Sequence, residues 1–151
     1  MTPGVYKFDS STGLTGVLTL NLLGNANSLF IFQIGSTLTT ASNSSVITSN
    51  GSNCCNVFWQ IGSSATLGTG TDFRGNIIAL TSITLTTGAD IVDGRALALN
   101  GAVTLDTNNI SDVVCDRIAA AAVPEPGSLL LLGAGLFGLV WLGRKSRRRV
   151  A

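Results

Sequence analysis

The chain has 151 residues, of which 45% are hydrophobic, only 11% are charged and seventeen are threonine, a balance that fits one domain of ordinary size and is unusual for a cytosolic enzyme. The formal net charge of +1 hides a split, because Arg144, Lys145, Arg147, Arg148 and Arg149 hold five of the nine basic residues and leave residues 1–143 at a formal −4. A basic nucleic-acid surface on the body is thereby excluded, and no nucleic-acid partner is expected.

The body, residues 2–118, is built from recurring short blocks: VLTL ending at Leu20, STLT around Leu38, SATL ending at Leu67, SITL ending at Leu85 and AVTL ending at Leu105. The leucine spacings are 18, 29, 18 and 20, and three of the four fit one turn of a short-coil β-solenoid. A second echo sets FIFQIGS at Phe30 against VFWQIGS at Val57, an offset of 27. Within the blocks apolar residues alternate, as in Leu18 and Leu20, Ile83 and Leu85, or Val103 and Leu105, so one side of each strand faces a core and the other faces water. The outward set is then Thr19, Thr37, Thr39, Thr66, Thr84, Thr86 and Thr104. Gly68-Thr69-Gly70, Gly88, Gly94 and Asn100-Gly101 supply turn signals between blocks, and the pattern predicts a mainly β body that winds as a β-solenoid, or β-helix.

The segment LTSITLTTGAD, Leu80 to Asp90, carries threonine where a soluble strand usually carries Lys or Glu. Stacked coils lie about 4.7 Å apart, and alternate residues along a strand repeat at roughly 6.7 Å. Outward threonines therefore form a grid of hydroxyls and methyls, held still by the restricted χ1 of a β-branched side chain. Such a grid is poor at catalysis and suited to ordering water, with an ice crystal surface as the predicted partner. Threonine is also a good strand former, so a structural or adhesive protein of the extracellular polysaccharide matrix, without affinity for ice, stands as the alternative.

TPGVYKF at Thr2, SLFIFQIGSTLTTAS at Ser28, CNVFWQIGSSATLGTGT at Cys55, GNIIALTSITLTTGA at Gly75 and GRALALNGAVTLDTN at Gly94 resemble successive blocks of the bacterial and fungal ice-binding-protein-like family. The resemblance implies a discontinuous right-handed β-solenoid with a long helix packed along it, and adsorption to ice through a broad flat face. Some members carry a T-A/G-x-T/N motif on that face. Thr40-Ala41-Ser42-Asn43 fits it, Thr69-Gly70-Thr71-Asp72 and Thr87-Gly88-Ala89-Asp90 fit only its first two positions, and Thr40, Asn43 and Thr69 join the candidate ice-binding residues. The family pattern places first coils and the flanking helix upstream of the TPGVYKF block, whereas this chain begins beside it without the apolar region of a signal peptide. An N-terminally truncated domain is therefore expected, with one solenoid face uncovered and prone to aggregation.

No metal, cofactor or catalytic group is expected. The chain has no His, which removes the usual general base, and three cysteines, Cys54, Cys55 and Cys115, cannot supply four zinc ligands. They allow at most one intramolecular disulfide. Asp72, Asp90, Asp93 and Asp106, with Arg74 or Arg95, are the only carboxylate cluster to consider for polysaccharide cleavage, and they fall next to turns, where Asp commonly stabilises the backbone.

After the body comes a linker, residues 119–126, with Pro124, Glu125 and Pro126. Residues 127–143, GSLLLLGAGLFGLVWLG, contain no charge and span roughly 25 Å as a helix, within the lower range for a membrane span. Trp141 suits the interface, and the basic tail, residues 144–151, orients the C-terminus to the cytoplasm and the body outward. Gly133, Gly135 and Gly138 match the dinucleotide-binding glycine pattern but lack its strand and its acidic residue, so a close-packing helix face is the better reading. Pro-Glu-Pro, an apolar helix and an Arg cluster in that order resemble the PEP-CTERM sorting signal, which implies an exosortase-type processing enzyme as partner. Membrane anchoring through the transmembrane helix, then release to the cell surface, follows from that resemblance.

Overall fold

The structure is a computed structural model of the chain, and it describes residues 1–25, 27–51 and 56–111. These residues form fifteen short strands and no helix. Every strand pairing is parallel, and three strands make one coil.

Sheet 1 stacks β1 (Gly4–Phe8), β4 (Phe30–Ile34), β7 (Val57–Ile61), β10 (Asn76–Ala79) and β13 (Ala96–Ala98). Sheet 2 stacks β2 (Thr12–Leu14), β5 (Leu38–Thr40), β8 (Ala65–Leu67), β11 (Ile83–Leu85) and β14 (Val103–Thr104). Sheet 3 stacks β3 (Val17–Asn21), β6 (Ser45–Ser49), β9 (Asp72–Arg74), β12 (Asp90–Val92) and β15 (Ile110–Ser111). Five coils thus pile up in chain order, a β-solenoid with three sheets around one core.

The two-residue alternation explains the core directly. In β4 and β7 the buried positions alternate with partly exposed ones, and the in-register inward residues meet across coils. Tyr6, Phe32 and Trp59 form a continuous stack, with ring centroids 5.3 Å and then 3.9 Å apart and planes within 17°. Phe73 closes it from sheet 3, tilted by 51° against Trp59. The Trp59 indole N–H donates to the Arg74 carbonyl at 3.0 Å, so the one polar group of that ring is satisfied. Leu20, Phe30, Ile77, Ile83, Leu85 and Ile91 complete the buried interior.

Close stacking of coils demands small residues at the corners. A Cβ on Gly62 would lie 2.5 Å from the Gly35 carbonyl oxygen, and one on Gly35 would lie 2.5 Å from that of Asp9, so the turn between sheets 1 and 2 excludes side chains at both positions. Asn43 (φ 56°) and Gly70 (φ 66°) both take the left-handed conformation at the corner between sheets 2 and 3, and the Asn43 amide oxygen fills the space a Gly70 side chain would need.

The register corrects two of the five repeats read from the sequence. Leu38 pairs with Ala65, and Ala65 with Ile83, so the STLT block is offset by two residues from SATL and SITL. The VLTL block lies in β3 on sheet 3, and Leu14 is the residue that shares a column with Thr40. The FIFQIGS and VFWQIGS echo does align in register, Phe30 with Val57 through Ile34 with Ile61. Cys54, Cys55, Cys115, the linker 119–126, the apolar segment 127–143 and the basic tail lie outside the described residues. Among the described residues no helix is long and apolar enough to cross a membrane.

Candidate functional site

The outward face of sheet 2 gathers the largest group of the threonines singled out from the sequence. Its central column runs Gly13, Thr39, Thr66, Thr84 and Thr104, each paired in register with the next. Inward neighbours hold this column in place: Leu38, Ala65 and Ile83 are buried beneath it. The hydroxyls of Thr39, Thr66, Thr84 and Thr104 have no hydrogen-bond partner among the described residues, and all four residues are open to solvent to some degree. Four free hydroxyls therefore stand one coil apart, at about 4.7 Å, on strands paired on both sides at Thr39, Thr66 and Thr84 and on one side at Thr104.

Thr37 and Thr86 flank the column on the same face, and their hydroxyls are already engaged. Thr37 Oγ1 donates to Ser11 Oγ at 2.8 Å, and Thr86 Oγ1 donates to the Leu67 carbonyl at 2.8 Å. Thr69 lies at the corner between sheets 2 and 3, where its hydroxyl is 3.4 Å from that of Thr86.

Three candidates fall elsewhere. Thr19 belongs to β3 and pairs with Ile47, so it faces out from sheet 3, away from the column. Thr40 is only 3% exposed and faces inward, its hydroxyl accepting from the Gly68 amide at 2.8 Å and lying 2.9 Å from Thr71 Oγ1. With Ser44 they form a satisfied buried hydroxyl cluster, which leaves Thr40 nothing to offer a ligand. Asn43 is the left-handed corner residue, so its turn-forming conformation accounts for its place in the Thr40-Ala41-Ser42-Asn43 run.

Sequence reasoning missed the serines beside the column. Ser64 and Ser82 precede Thr66 and Thr84 by two, as Thr37 precedes Thr39, so period-two alternation puts them on the same outward face. The signal was present in the alternation itself, but only threonine was read as the outward residue type. No charged side chain stands on the outward face of sheet 2 between Thr37 and Thr86.

The four aspartates fall at three places among the described residues. Asp72 and Asp90 are neighbours on sheet 3, where Asp90 accepts from the Asn109 amide at 2.7 Å. Asp93 is buried at the corner between sheets 3 and 1 in an ion pair with Arg74. Asp106 accepts from the hydroxyl of Thr87 at the last coil. Among the described residues no group of His, Cys, Asp or Glu is placed to hold a metal.

The ice-binding-like family matches residues 1–111, and the PEP-CTERM protein-sorting motif matches residues 122–148. An ice-binding protein of Nostoc sp. (strain HG1) is 63% identical over 99% of this chain and 56% of its own length. Ice-binding protein 1 of Shewanella frigidimarina is 38% identical over 74% of this chain and 13% of its own length. Among solved structures, the ice-binding protein of the Antarctic ascomycete Antarctomyces psychrotrophicus superposes with a TM-score of 0.68 at 47% identity, over 74% of this chain and 54% of that one. An ice-binding protein from an Antarctic biological consortium gives a TM-score of 0.70 at 47% identity, over 73% of this chain and 50% of that one. The chain spans about half the length of these relatives, and less of the Shewanella protein.

Proposed function

Because the chain belongs to the ice-binding-like family, we propose that the outward face of its sheet 2 adsorbs to ice, restraining crystal growth or recrystallisation. The observation that carries this reading is the in-register column of Thr39, Thr66, Thr84 and Thr104 with unengaged hydroxyls. Each hydroxyl anchors a water molecule, and each methyl leaves the adjacent water to bond with other waters. Repetition at the coil spacing makes these waters a patch, and an ordered patch joins a growing lattice where isolated waters do not. Parallel stacking supports the reading further, because stacked coils stay flatter than an open twisted sheet.

Replacing Thr66 or Thr84 by lysine places a strongly hydrated charge in the middle of the patch. We expect thermal hysteresis and recrystallisation inhibition to fall to background in either variant, with the unfolding midpoint little changed because both positions are on the surface. Full activity in a folded Thr84→Lys protein would remove the site assignment, and an inactive wild type would favour the adhesive reading.

The same proposal extends to the parts the described residues leave out. The family resemblance implies a right-handed, discontinuous winding with a long flanking helix, and two exposed apolar surfaces support such a covering element. The outward side of sheet 1 shows Val5, Leu97, Leu80 and Leu99, the last 66% exposed, and the final coil leaves its inward-side Val103, Leu105 and Ile110 open. At the C-terminal end, an exosortase-type enzyme recognises Pro124, Glu125 and Pro126 while residues 127–143 hold the chain in the membrane, and processing delivers the body to the cell surface. Replacing Glu125 by alanine should keep the protein in the membrane fraction, which fractionation and blotting would read; unchanged release would contradict the sorting role.

A further inference from the structure

The threonine column has four rungs on a sheet of five, and the missing rung is Gly13. β2 continues the sheet past Thr39, with Thr12, Gly13 and Leu14 pairing with Leu38, Thr39 and Thr40. Glycine there is not required by the backbone, since Gly13 is absent from the positive-φ residues. Nor is it required by packing, since the nearest atom to a Cβ at this position is the Thr39 carbonyl oxygen at 3.8 Å, an ordinary contact. This sets Gly13 apart from Gly35, Gly62 and Gly68, where a Cβ would meet backbone at 2.5 or 2.6 Å. The flank of the last described rung differs: two residues past Thr104 stands Asp106, whose carboxylate accepts from Thr87, and a charge holds its own hydration shell.

Resting on the ice-adsorption reading above, we propose that Gly13 leaves a gap in the template: the described sheet provides a fifth rung, and only the missing side chain leaves it unused. The strand around it is already on the face, because Ser11 Oγ accepts from Thr37 Oγ1 and so ties coil one to coil two on the outward side. A threonine at position 13 then faces solvent directly beside Thr39 and adds one hydroxyl and one methyl in register.

The test uses the 151-residue chain and its Gly13→Thr, Gly13→Lys and Thr84→Lys variants, compared at equal molar concentration by thermal hysteresis, with far-UV circular dichroism and a urea midpoint for each. Gly13→Thr is expected to raise hysteresis by at least the rung ratio of five to four, while Gly13→Lys gives no gain. Lysine controls for the strand stabilisation that any side chain brings over glycine. No gain from a folded Gly13→Thr protein, or an equal gain from lysine, overturns the proposal. If Gly13→Thr loses its β signal, Gly13→Ser is read by the same criterion. Thr84→Lys separates the two levels: loss of hysteresis there with a silent Gly13→Thr sinks only the fifth rung, whereas retained hysteresis sinks the face itself.

Discussion

Threonine 40 and threonine 84 are the same side chain in two different roles, and the hydroxyl's neighbours decide which. Thr84 presents its hydroxyl outward with no described protein partner, while Thr40 turns inward and accepts from the Gly68 amide. Substituting Thr40 by valine keeps the volume but leaves that amide without its partner, a loss of about 1–3 kcal/mol. A lower urea midpoint with unchanged hysteresis per folded molecule is the expected result. A fall in hysteresis alone would place Thr40 in the face after all. From the sequence the two residues look alike, because each lies in a Thr-rich block and hydroxyl engagement depends on residues from other coils.

Strands here are three to five residues long for the most part, so no element is stable alone, and each draws its stability from the coils above and below. The aromatic stack in sheet 1 shows how. Phe32 lies between Tyr6 and Trp59, and replacing it by alanine opens a cavity in the middle of three coils. We expect a loss of roughly 3–5 kcal/mol, read as a shifted denaturation midpoint, with the Trp59 fluorescence altered in the native state. Corners are equally intolerant: Gly62→Ala forces its Cβ against the Gly35 carbonyl and should lower the midpoint more than Gly13→Ala does. Equal effects would mean the coils are not stacked as tightly as described. The FIFQIGS echo was legible as an in-register pair because a seven-residue match leaves little freedom to slip. Two of the four-residue blocks were not: alternation of period two is satisfied equally by a shift of two residues, as for STLT, and reads the same on every sheet, as for VLTL with its Thr19, whereas Thr40 was a candidate only through the T-A/G-x-T/N motif.

At the scale of the whole molecule, the three sheets have three different exteriors. Sheet 2 is rich in hydroxyls, sheet 3 carries Asp72 and Asp90 beside Thr19 and Ile47, and sheet 1 shows apolar Val5, Ile31, Phe58, Ile78 and Leu97 together with Lys7, Gln33 and Gln60. Exposed apolar residues grouped in that way are an association hazard when open to water. The double variant Leu97→Lys with Leu99→Lys should therefore reduce aggregation of the 151-residue chain and its binding of the dye ANS, while leaving sheet 2 intact. Unaltered ANS binding would show that this face is covered in the chain as it stands.

A mainly β fold, a stacked architecture and a hydroxyl-rich exterior were all determined by the sequence by itself, because alternation and repetition are properties of neighbouring residues. The sorting motif was legible for the same reason, being one contiguous run. Tertiary structure alone decided which threonines share a face, which hydroxyls are already engaged and where a rung is missing. Those depend on register between strands some 18 to 27 residues apart, and only the packing of one coil on the next chooses it.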